Sequence, residues 1–220
     1  MLKIQDIFDV EKPGEDLESL FRGAFPWEIL ATLDDFVKAI KDERKGQVHP
    51  SAILEGTIYI HETAEIGPHV YIEGPAWIGP KAKVKHGAYL RGGVVLAESA
   101  EVGAKTEVKR SVFMKKAKAA HLNYVGDSVL GNDVNLGAGV KLANFKTFGT
   151  NITIEGQETG LRKLGALIGD GCSIGCNAVT TPGTIIGKNT IAYNCVVLKG
   201  VVPANSIVKL RQNLEITERT

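Results

Sequence analysis

Aliphatic residues recur at every sixth position through the middle of this chain. A second column of small or β-branched residues follows four positions after each of them, and eleven of its first twelve members fit that description. The same spacing resumes at residues 124–140 and again at residues 168–202. The first column, which has no exception between residues 48 and 114, is Val48, Leu54, Ile60, Ile66, Ile72, Ile78, Val84, Leu90, Leu96, Val102, Val108 and Met114.

A period of six fits neither an α-helix nor a strand that alternates along its whole length. It fits a short strand followed by a tight turn, in which one aliphatic residue per side points inward and a small residue fits the corner. Three such sides close one coil of about 18 residues. The repeat therefore predicts an all-β fold, a parallel β-helix of about seven coils stacked at the usual strand spacing of about 4.8 Å.

One interruption breaks the repeat after its most regular part. The four residues 120–123, AHLN, stand between the first run of hexads and the second, and they include His121. We interpret them as an insertion that pushes a side chain out of the wall between two coils. The interruption is therefore the first candidate for a functional site.

The segments outside the repeat define the predicted domains. Residues 1–47 are predicted to be an N-terminal helical cap or linker, since apolar residues have helical spacing in 26–43 and a solenoid needs covered ends. The helix is expected to cap or flank the first coil. Residues 48–203 form the β-helix domain, and its 143–167 segment is an excursion with a hairpin predicted from NITIEG. Residues 204–220 are a tail.

Composition narrows the function classes without choosing one. The 220 residues carry a net charge of +1, and the basic stretch 105–118 lacks the interleaved aromatic residues of a nucleic-acid surface, so nucleic acid is not expected as a partner. No apolar run reaches the ~18 residues of a membrane span, and the N-terminus is too acidic for a signal peptide, so a cytoplasmic location is expected. The three cysteines have neither disulfide nor zinc spacing, and no metal site is predicted.

The hexads LIGDGC, SIGCNA and VLGNDV resemble those of the hexapeptide-repeat acyltransferases. That resemblance implies a left-handed β-helix and a homotrimer with active sites between subunits, although parallel crossovers are otherwise nearly always right-handed. Residues 48–211 resemble more closely the acetyltransferase half of the bifunctional N-acetylglucosamine-1-phosphate uridyltransferase/glucosamine-1-phosphate acetyltransferases. RKLGALIGD (162–170) and PWEIL (26–30) are similar to the archaeal sugar-1-phosphate nucleotidyltransferases of that family.

The resemblance implies roles for individual residues. The catalytic histidine falls on His121, and the pair that precedes the excursion falls on Asn144 and Phe145. The implied sugar-phosphate pocket contains Arg91, Lys109, Tyr124, Asn135, Phe145 and Lys163. The implied acetyl-CoA side contains Ala138, Cys176, Asn194 and Arg211.

These residue types suit acetyl transfer to an amine. An amine with a pKa near ~8 and an imidazole with a pKa near ~6.5 are matched well enough for His121 to take a proton at neutral pH. Glu107 is a candidate to orient or charge-balance the imidazole. Backbone N–H groups of 137–139, or the Asn144 amide, are candidates to bind the oxyanion. The guanidinium and ammonium groups of the pocket suit a sugar phosphate.

Three departures from the family pattern bear on the prediction. The nucleotidyltransferase domain with its glycine-rich phosphate loop is absent from this sequence, so uridyl transfer is not expected here. Residues 146–161 make a longer excursion than in the bacterial enzyme, which bears on the substrate. Asn194 stands where the family has an alanine, which bears on the shape of the acyl-CoA site.

The sequence therefore predicts an acetyl-CoA-dependent N-acetyltransferase, independent of metal, that acts on glucosamine-1-phosphate, galactosamine-1-phosphate or a nucleotide-linked amino sugar. The alternative is a non-catalytic β-helix that binds sugar nucleotides or regulates a separate nucleotidyltransferase chain, because PWEIL adjoins such a domain in the look-alike proteins. A carbonic-anhydrase-like β-helix is disfavoured, because the five histidines lack the spacing of three converging metal ligands.

Overall fold

The computed structural model describes residues 2–10 and 17–219, so residues 1 and 11–16 of the predicted cap and residue 220 of the predicted tail lie outside the described residues. Two α-helices, α1 (Ile4–Ile7) and α2 (Ile29–Lys38), and two 3-10 turns, Glu18–Phe21 and Pro26–Glu28, precede the strands. The strands are β1 Glu43–Arg44, β2 Gln47–Val48, β3 Ile53–Glu55, β4 Ile58–Ile60, β5 Glu65–Ile66, β6 Tyr71–Glu73, β7 Ala76–Ile78, β8 Lys83–Val84, β9 Tyr89–Leu96, β10 Glu101–Ala104, β11 Glu107–Phe113, β12 Lys118–His121, β13 Tyr124–Gly126, β14 Val129–Leu130, β15 Asn135–Leu136, β16 Lys141–Leu142, β17 Thr153–Ile154, β18 Gln157–Glu158, β19 Ala166–Ile168, β20 Ser173–Ile174, β21 Val179–Thr180, β22 Thr184–Ile186, β23 Ile191–Ala192, β24 Val197–Leu198, β25 Val201–Val202 and β26 Ile207–Val208.

The parallel strands build a three-sided prism in which each coil adds one rung to each side. Side B is a separate sheet of nine strands in the order β2-β5-β8-β10-β12-β15-β20-β23-β26. The long strands β9 and β11 run through two sides, so sides A and C form one continuous sheet. Side A contains β1, β4, β7, the ends of β9 and β11, β14, β19, β22 and β25. Side C contains β3, β6, the starts of β9 and β11, β13, β16, β21 and β24.

The predicted fold class, an all-β parallel β-helix, is confirmed, but the prism has nine coils and not the seven expected from the hexad count. The count took its last hexad at Leu198 and skipped rungs that the structure places at β1, β12, β16, β25 and β26. Strands of the prism therefore extend from residue 43 to residue 208.

The repeat is shortened in the middle of the prism and not lengthened there. Register partners on side B step from Val84 to Val102, then to Ala119 and then to Leu136, which makes one coil of 18 residues followed by two of 17. The stretch AHLN (120–123) is a corner of ordinary length between two inward residues. The predicted four-residue insertion is therefore wrong.

The omitted residues belong to the corner between sides C and A. The register of β11 shifts between Lys109 and Ser111, which marks the first shortened corner. Arg110 and Asp127 occupy corresponding positions in the two shortened corners, and both have a positive φ, 43° and 46°. A positive φ is unfavourable for a residue other than glycine. The tight corner nevertheless requires this backbone conformation at both positions.

Omitting one residue changes which neighbouring side chain points into the prism. Phe113 and Val125 are fully buried in the core of the prism. Met114 packs in a second core outside side A, and Tyr124 is half-buried on the outer surface of side C. The hexad column therefore named the wrong residue at these two rungs, since Phe113 and Val125 are the inward residues.

The N-terminal segment lies along side A, and it does not close the end of the first coil. Leu30 of α2 packs with Trp77 and Val112 in the second core. Nearer the N-terminus the segment reaches a much later coil, where the Asp170 N–H donates to the Ile7 carbonyl at 3.2 Å. The N-terminal segment, which was predicted to cap or flank the first coil, therefore flanks side A. The reason is the apolar outer surface of side A, which consists of Trp77, Val95, Val112, Val129, Leu167 and Ile185.

The excursion within 143–167 covers another part of side A. β17 and β18 form an antiparallel pair at the position of NITIEG. Ile152 and Ile154 are buried in the second core, whereas Phe148 is 93% exposed. The excursion is therefore anchored by its isoleucines and carries an exposed phenyl group.

The last described residues, 209–219, are exposed and have no regular secondary structure, and Arg211 lies among them. In the described part of the chain, no helix is long and apolar enough to cross a membrane.

Candidate active site

The corner between sides B and C collects four of the predicted site residues in one column. In each coil we take the second residue after the inward side-B residue. Backbone hydrogen bonds link these residues from coil to coil. In each case the residue after one of them donates its N–H to the carbonyl of the corresponding residue in the coil below, at 2.8–3.1 Å. The members in four successive coils are His121, Ala138, Cys176 and Asn194.

His121 is held by a buried asparagine two residues later. The His121 N–H donates to Asn123 Oδ1 at 3.1 Å, and Asn123 Nδ2 donates to the Gly137 carbonyl at 2.7 Å. Asn123 is 3% exposed, and buried side-chain hydrogen bonds of this kind restrict a turn to one geometry. The His121 side chain itself is exposed at the corner. It is therefore accessible to a substrate and is carried on a rigid backbone.

Side C, which begins at this corner, carries the predicted phosphate-binding residues. Arg91 and Lys109 are ladder partners on β9 and β11, and Glu107 and Tyr124 are partners on β11 and β13. The Arg91 Nη1 donates to Glu107 Oε1 at 2.7 Å. The contact shown for the Glu107 carboxylate, which was predicted to orient or charge-balance the His121 imidazole, is therefore with Arg91. The structure thus brings these four residues together in one half-buried cluster.

Tyr124 and Asn144 meet above Gly126. A Cβ at Gly126 would lie 2.6 Å from Asn144 Nδ2 and 2.7 Å from Tyr124 Oη, so only glycine permits this approach. Burial raises the pKa of Tyr124, and a hydrogen bond from Asn144 partly offsets that rise. Asn144 Nδ2 also donates to Asp127 Oδ2 at 2.5 Å. The sequence prediction missed Asp127, because the hexad count took Tyr124 as the inward residue and so read a full hexad where the structure has a shortened corner.

The remaining predicted residues lie apart from this cluster in one protomer. Asn135 is exposed on side B, around the corner from Tyr124. Phe145 and Lys163 form an antiparallel bridge at the base of the excursion, and Arg211 is in the exposed tail. Within one protomer the structure does not bring these residues to Arg91.

Asn194, the residue that departs from the family pattern, has a specific contact in the corner. Its Oδ1 accepts a hydrogen bond from the Cys176 N–H at 2.9 Å. A groove of about 380 Å³ on side B runs between Asn135 and these two residues. The Asn194 side chain therefore accepts a hydrogen bond from the Cys176 N–H, which an alanine at this position could not do.

A tyrosine ladder on side C was not anticipated from the sequence. The rings of Tyr71 and Tyr89 stack with centroids 5.4 Å apart, and their hydroxyls donate to Glu55 and Glu73, both at 2.8 Å. The Arg91 guanidinium lies 5.8 Å from the centre of the Tyr89 ring. The ladder extends the Arg91–Lys109 cluster toward the first coils. Its signal was the recurrence of tyrosine one residue before the inward column.

The Tyr71 hydroxyl gives a titration that checks this ladder. Its hydrogen bond to Glu55 raises the pKa of Tyr71 to about 12, against a usual value of about 10. Because the folded-state pKa is the higher one, the hydrogen bond contributes stability below pH ~10 and loses it as the pH rises through about 12. We expect Tyr71→Phe to remove one late-ionising phenol from the ultraviolet titration and Glu55→Gln to shift that phenol to lower pH. An unchanged titration in both variants would contradict the contact.

No group of three or more histidine, cysteine, aspartate or glutamate side chains among the described residues is arranged to hold a metal ion.

Comparisons with known proteins place this geometry in context. A family model described as the GMPPB C-terminal domain matches residues 72–164. The bifunctional protein GlmU of Methanococcus aeolicus is 34% identical over 198 residues, which are 88% of this chain and 48% of that protein. A bifunctional sugar-1-phosphate nucleotidylyltransferase/acetyltransferase of Sulfurisphaera tokodaii is 39% identical over 176 residues, 76% of this chain and 43% of that protein. The chain thus spans about half the length of the curated relatives it matches.

The fold has a counterpart among solved structures. The UDP-N-acetylglucosamine acyltransferase from Campylobacter jejuni superposes with a TM-score of 0.53 at 16% identity, covering 71% of this chain and 69% of that chain. At this identity the match concerns the fold alone. The resemblance to hexapeptide-repeat acyltransferases is therefore confirmed, in sequence over about half the length of bifunctional nucleotidylyltransferase/acetyltransferases and in fold by a sugar-nucleotide acyltransferase.

Proposed function

We propose that this protein transfers the acetyl group of acetyl-CoA to the amino group of an amino-sugar 1-phosphate or a nucleotide-linked amino sugar, with His121 as general base. The observation that carries the proposal is the corner column. It stacks His121 directly below Ala138 and, one coil further, Cys176. The Arg91–Lys109 cluster lies on the adjoining side.

The proposed reaction assigns a task to each part of this corner. The sugar amine attacks the thioester carbonyl and His121 takes the amine proton, so that a C–N bond forms as the C–S bond breaks. The proton then passes to the departing CoA thiolate, which leaves as the thiol. The Ala138 N–H stabilises the oxyanion, because the Gly137 and Gly139 N–H groups already donate to the Ile174 and His121 carbonyls, and a fixed dipole costs no reorganisation during the reaction. Arg91 and Lys109 bind the phosphate, and Lys163 is supplied by a neighbouring subunit, since one protomer does not bring it to Arg91.

We also propose a homotrimer with the active site between subunits. One protomer carries Asn135 on side B and Tyr124 on side C, on opposite sides of the corner that holds His121. A cleft between two copies lets a side-B surface and a side-C surface face one substrate. Side A is covered by the N-terminal segment, so this corner remains for the contact. Exposed apolar residues there include Leu122, Ile191, Tyr193 and Val197.

A thiol-release assay tests the proposal. The protein is incubated with acetyl-CoA and each of glucosamine-1-phosphate, galactosamine-1-phosphate and nucleotide-linked amino sugars, and free CoA thiol is measured. We expect release with at least one amino sugar and none with its N-acetylated form, which has no free amine. Sedimentation in the same buffer is expected to give a trimer.

Binding of these sugars without thiol release would instead support the alternative, a sugar-nucleotide-binding β-helix that partners a separate nucleotidyltransferase. This alternative is included because the chain matches only about half the length of its bifunctional relatives.

A further inference from the structure

A continuous chain of hydrogen bonds joins the N-terminal helix to the sugar pocket. Asp34 on α2 accepts two hydrogen bonds from Arg110, from Nε at 2.9 Å and from Nη2 at 2.7 Å. Arg110 Nη1 donates to Asp127 Oδ1 at 3.2 Å, and Asn144 Nδ2 donates to Asp127 Oδ2 at 2.5 Å. The Asn144 amide and the Tyr124 hydroxyl approach each other above Gly126. The chain runs through the two shortened corners described above.

The burial of Asp127 makes its two contacts obligatory. Its side chain is 2% exposed, and a buried carboxylate remains charged only where charged or donating partners replace water. Buried ion pairs contribute little net stability compared with apolar residues of the same volume. Fold stability therefore gives no strong reason to place an aspartate at this corner.

A carboxylate is the one side-chain group of this size that can accept on both sides. Arg110 and Asn144 both present N–H donors to Asp127. An amide accepts only through its oxygen, so an asparagine at residue 127 would turn its NH₂ group against one of these donors. In the native arrangement the Asn144 nitrogen donates to Asp127, and its carbonyl oxygen is therefore directed away from that carboxylate.

We propose that Asp127 is a positioning residue: supported by Arg110 and by Asp34 of α2, it holds the Asn144 side chain in the one orientation that the sugar pocket uses. This inference rests on the proposed function. It also gives the N-terminal segment a role beyond covering side A, because Asp34 orients Arg110 from outside the prism. The one-residue omissions have a functional reason as well, since they bring Arg110, Asp127 and Asn144 into one column.

The test is a double-mutant cycle with Asp127→Asn and Asn144→Ala. We expect Asp127→Asn to lower kcat about 10- to 100-fold and to leave the KM for acetyl-CoA within about twofold, because a small misplacement at the reacting centre has effects of this size. In the Asn144→Ala background the same change should have no further effect, since Asp127 acts through Asn144. Equal losses in both backgrounds would overturn the proposal and leave Asp127 a structural residue.

A second variant at a more exposed residue keeps the proposal testable if Asp127→Asn fails to fold. Asp34 is half-exposed on α2, and Asp34→Asn disturbs the chain at its outer end. We expect a loss in kcat of about three- to tenfold that also disappears in the Asn144→Ala background. The matched control is Asp35→Asn, which removes only an exposed ion pair with Lys38 and should leave kcat unchanged. Equal effects of Asp34→Asn and Asp35→Asn would count against the link to α2.

A second readout does not depend on acetyl transfer. The Tyr124 phenol is titrated by ultraviolet difference against a Tyr124→Phe variant. The Asn144 contact lowers the pKa of Tyr124 and the Asp127 charge raises it, so the effect of Asp127→Asn is titrated in the wild-type and in the Asn144→Ala backgrounds. In the Asn144→Ala background only the loss of the charge acts, which shifts the phenol to lower pH, whereas with Asn144 present the loss of its positioned contact adds a shift to higher pH. Equal shifts in the two backgrounds would refute the positioning role even if the wild-type protein releases no thiol, so failure of this inference is separable from failure of the proposed function.

Discussion

The variant His121→Ala is expected to lose about 10²- to 10⁴-fold in kcat for thiol release, the range that a general base contributes. The KM for acetyl-CoA should change little, because the imidazole acts on the amine proton. The side chain is exposed and makes no contribution to the core, so the thermal midpoint and the sedimentation coefficient should match those of the wild type.

His86 supplies the matched control for this experiment. It occupies the same position in the same corner column, two coils below His121. We expect His86→Ala to retain wild-type kcat, because the predicted acetyl-CoA residues Ala138 and Cys176 lie in the coils above His121 and not beside His86. Equal losses in the two variants would assign the effect to the corner surface and not to His121. Full activity of His121→Ala would contradict the proposed base.

The largest expected effect on stability belongs to Phe113→Ala. The structure places this phenyl group in the core of the prism with no exposed surface. Removing a fully buried phenylalanine costs about 3–5 kcal/mol, through lost transfer free energy and the cavity left behind. We expect the midpoint of urea unfolding, followed by circular dichroism, to fall accordingly.

Phe148→Ala is the control for Phe113→Ala, since Phe148 is 93% exposed. Its free energy of unfolding should stay within about 0.5 kcal/mol of the wild type. A similar midpoint for the two variants would be inconsistent with the rung assignment in this part of the prism.

The candidate site was predictable in part. Ala138 and Cys176 occupy equivalent positions in counted hexads, and stacked coils with a constant register align equivalent positions in one column. His121 stood outside the hexad count and was named from the family resemblance, so only the structure placed it in that column. Arg110 and Asp127 were not predictable as partners, because their meeting depends on two omissions whose place within the coil the hexad count could not identify. In a six-residue pattern, omitting two residues in total and inserting four residues bring the later hexads into the same register. The hexad count therefore could not tell one from the other.

The sequence by itself determined that this chain forms a β-helix, because a six-residue aliphatic period is satisfied by stacked three-sided coils. It also determined the inward residue at most rungs. Only the tertiary structure decided where α2 lies, because an amphipathic helix fits any sufficiently large apolar surface, and the apolar outer surface of side A is the one that it covers. The structure likewise decided that AHLN is an ordinary corner and that the irregularity lies at Arg110 and Asp127. Hydrogen bonds between distant segments select that arrangement, and such contacts leave no periodic trace in the chain.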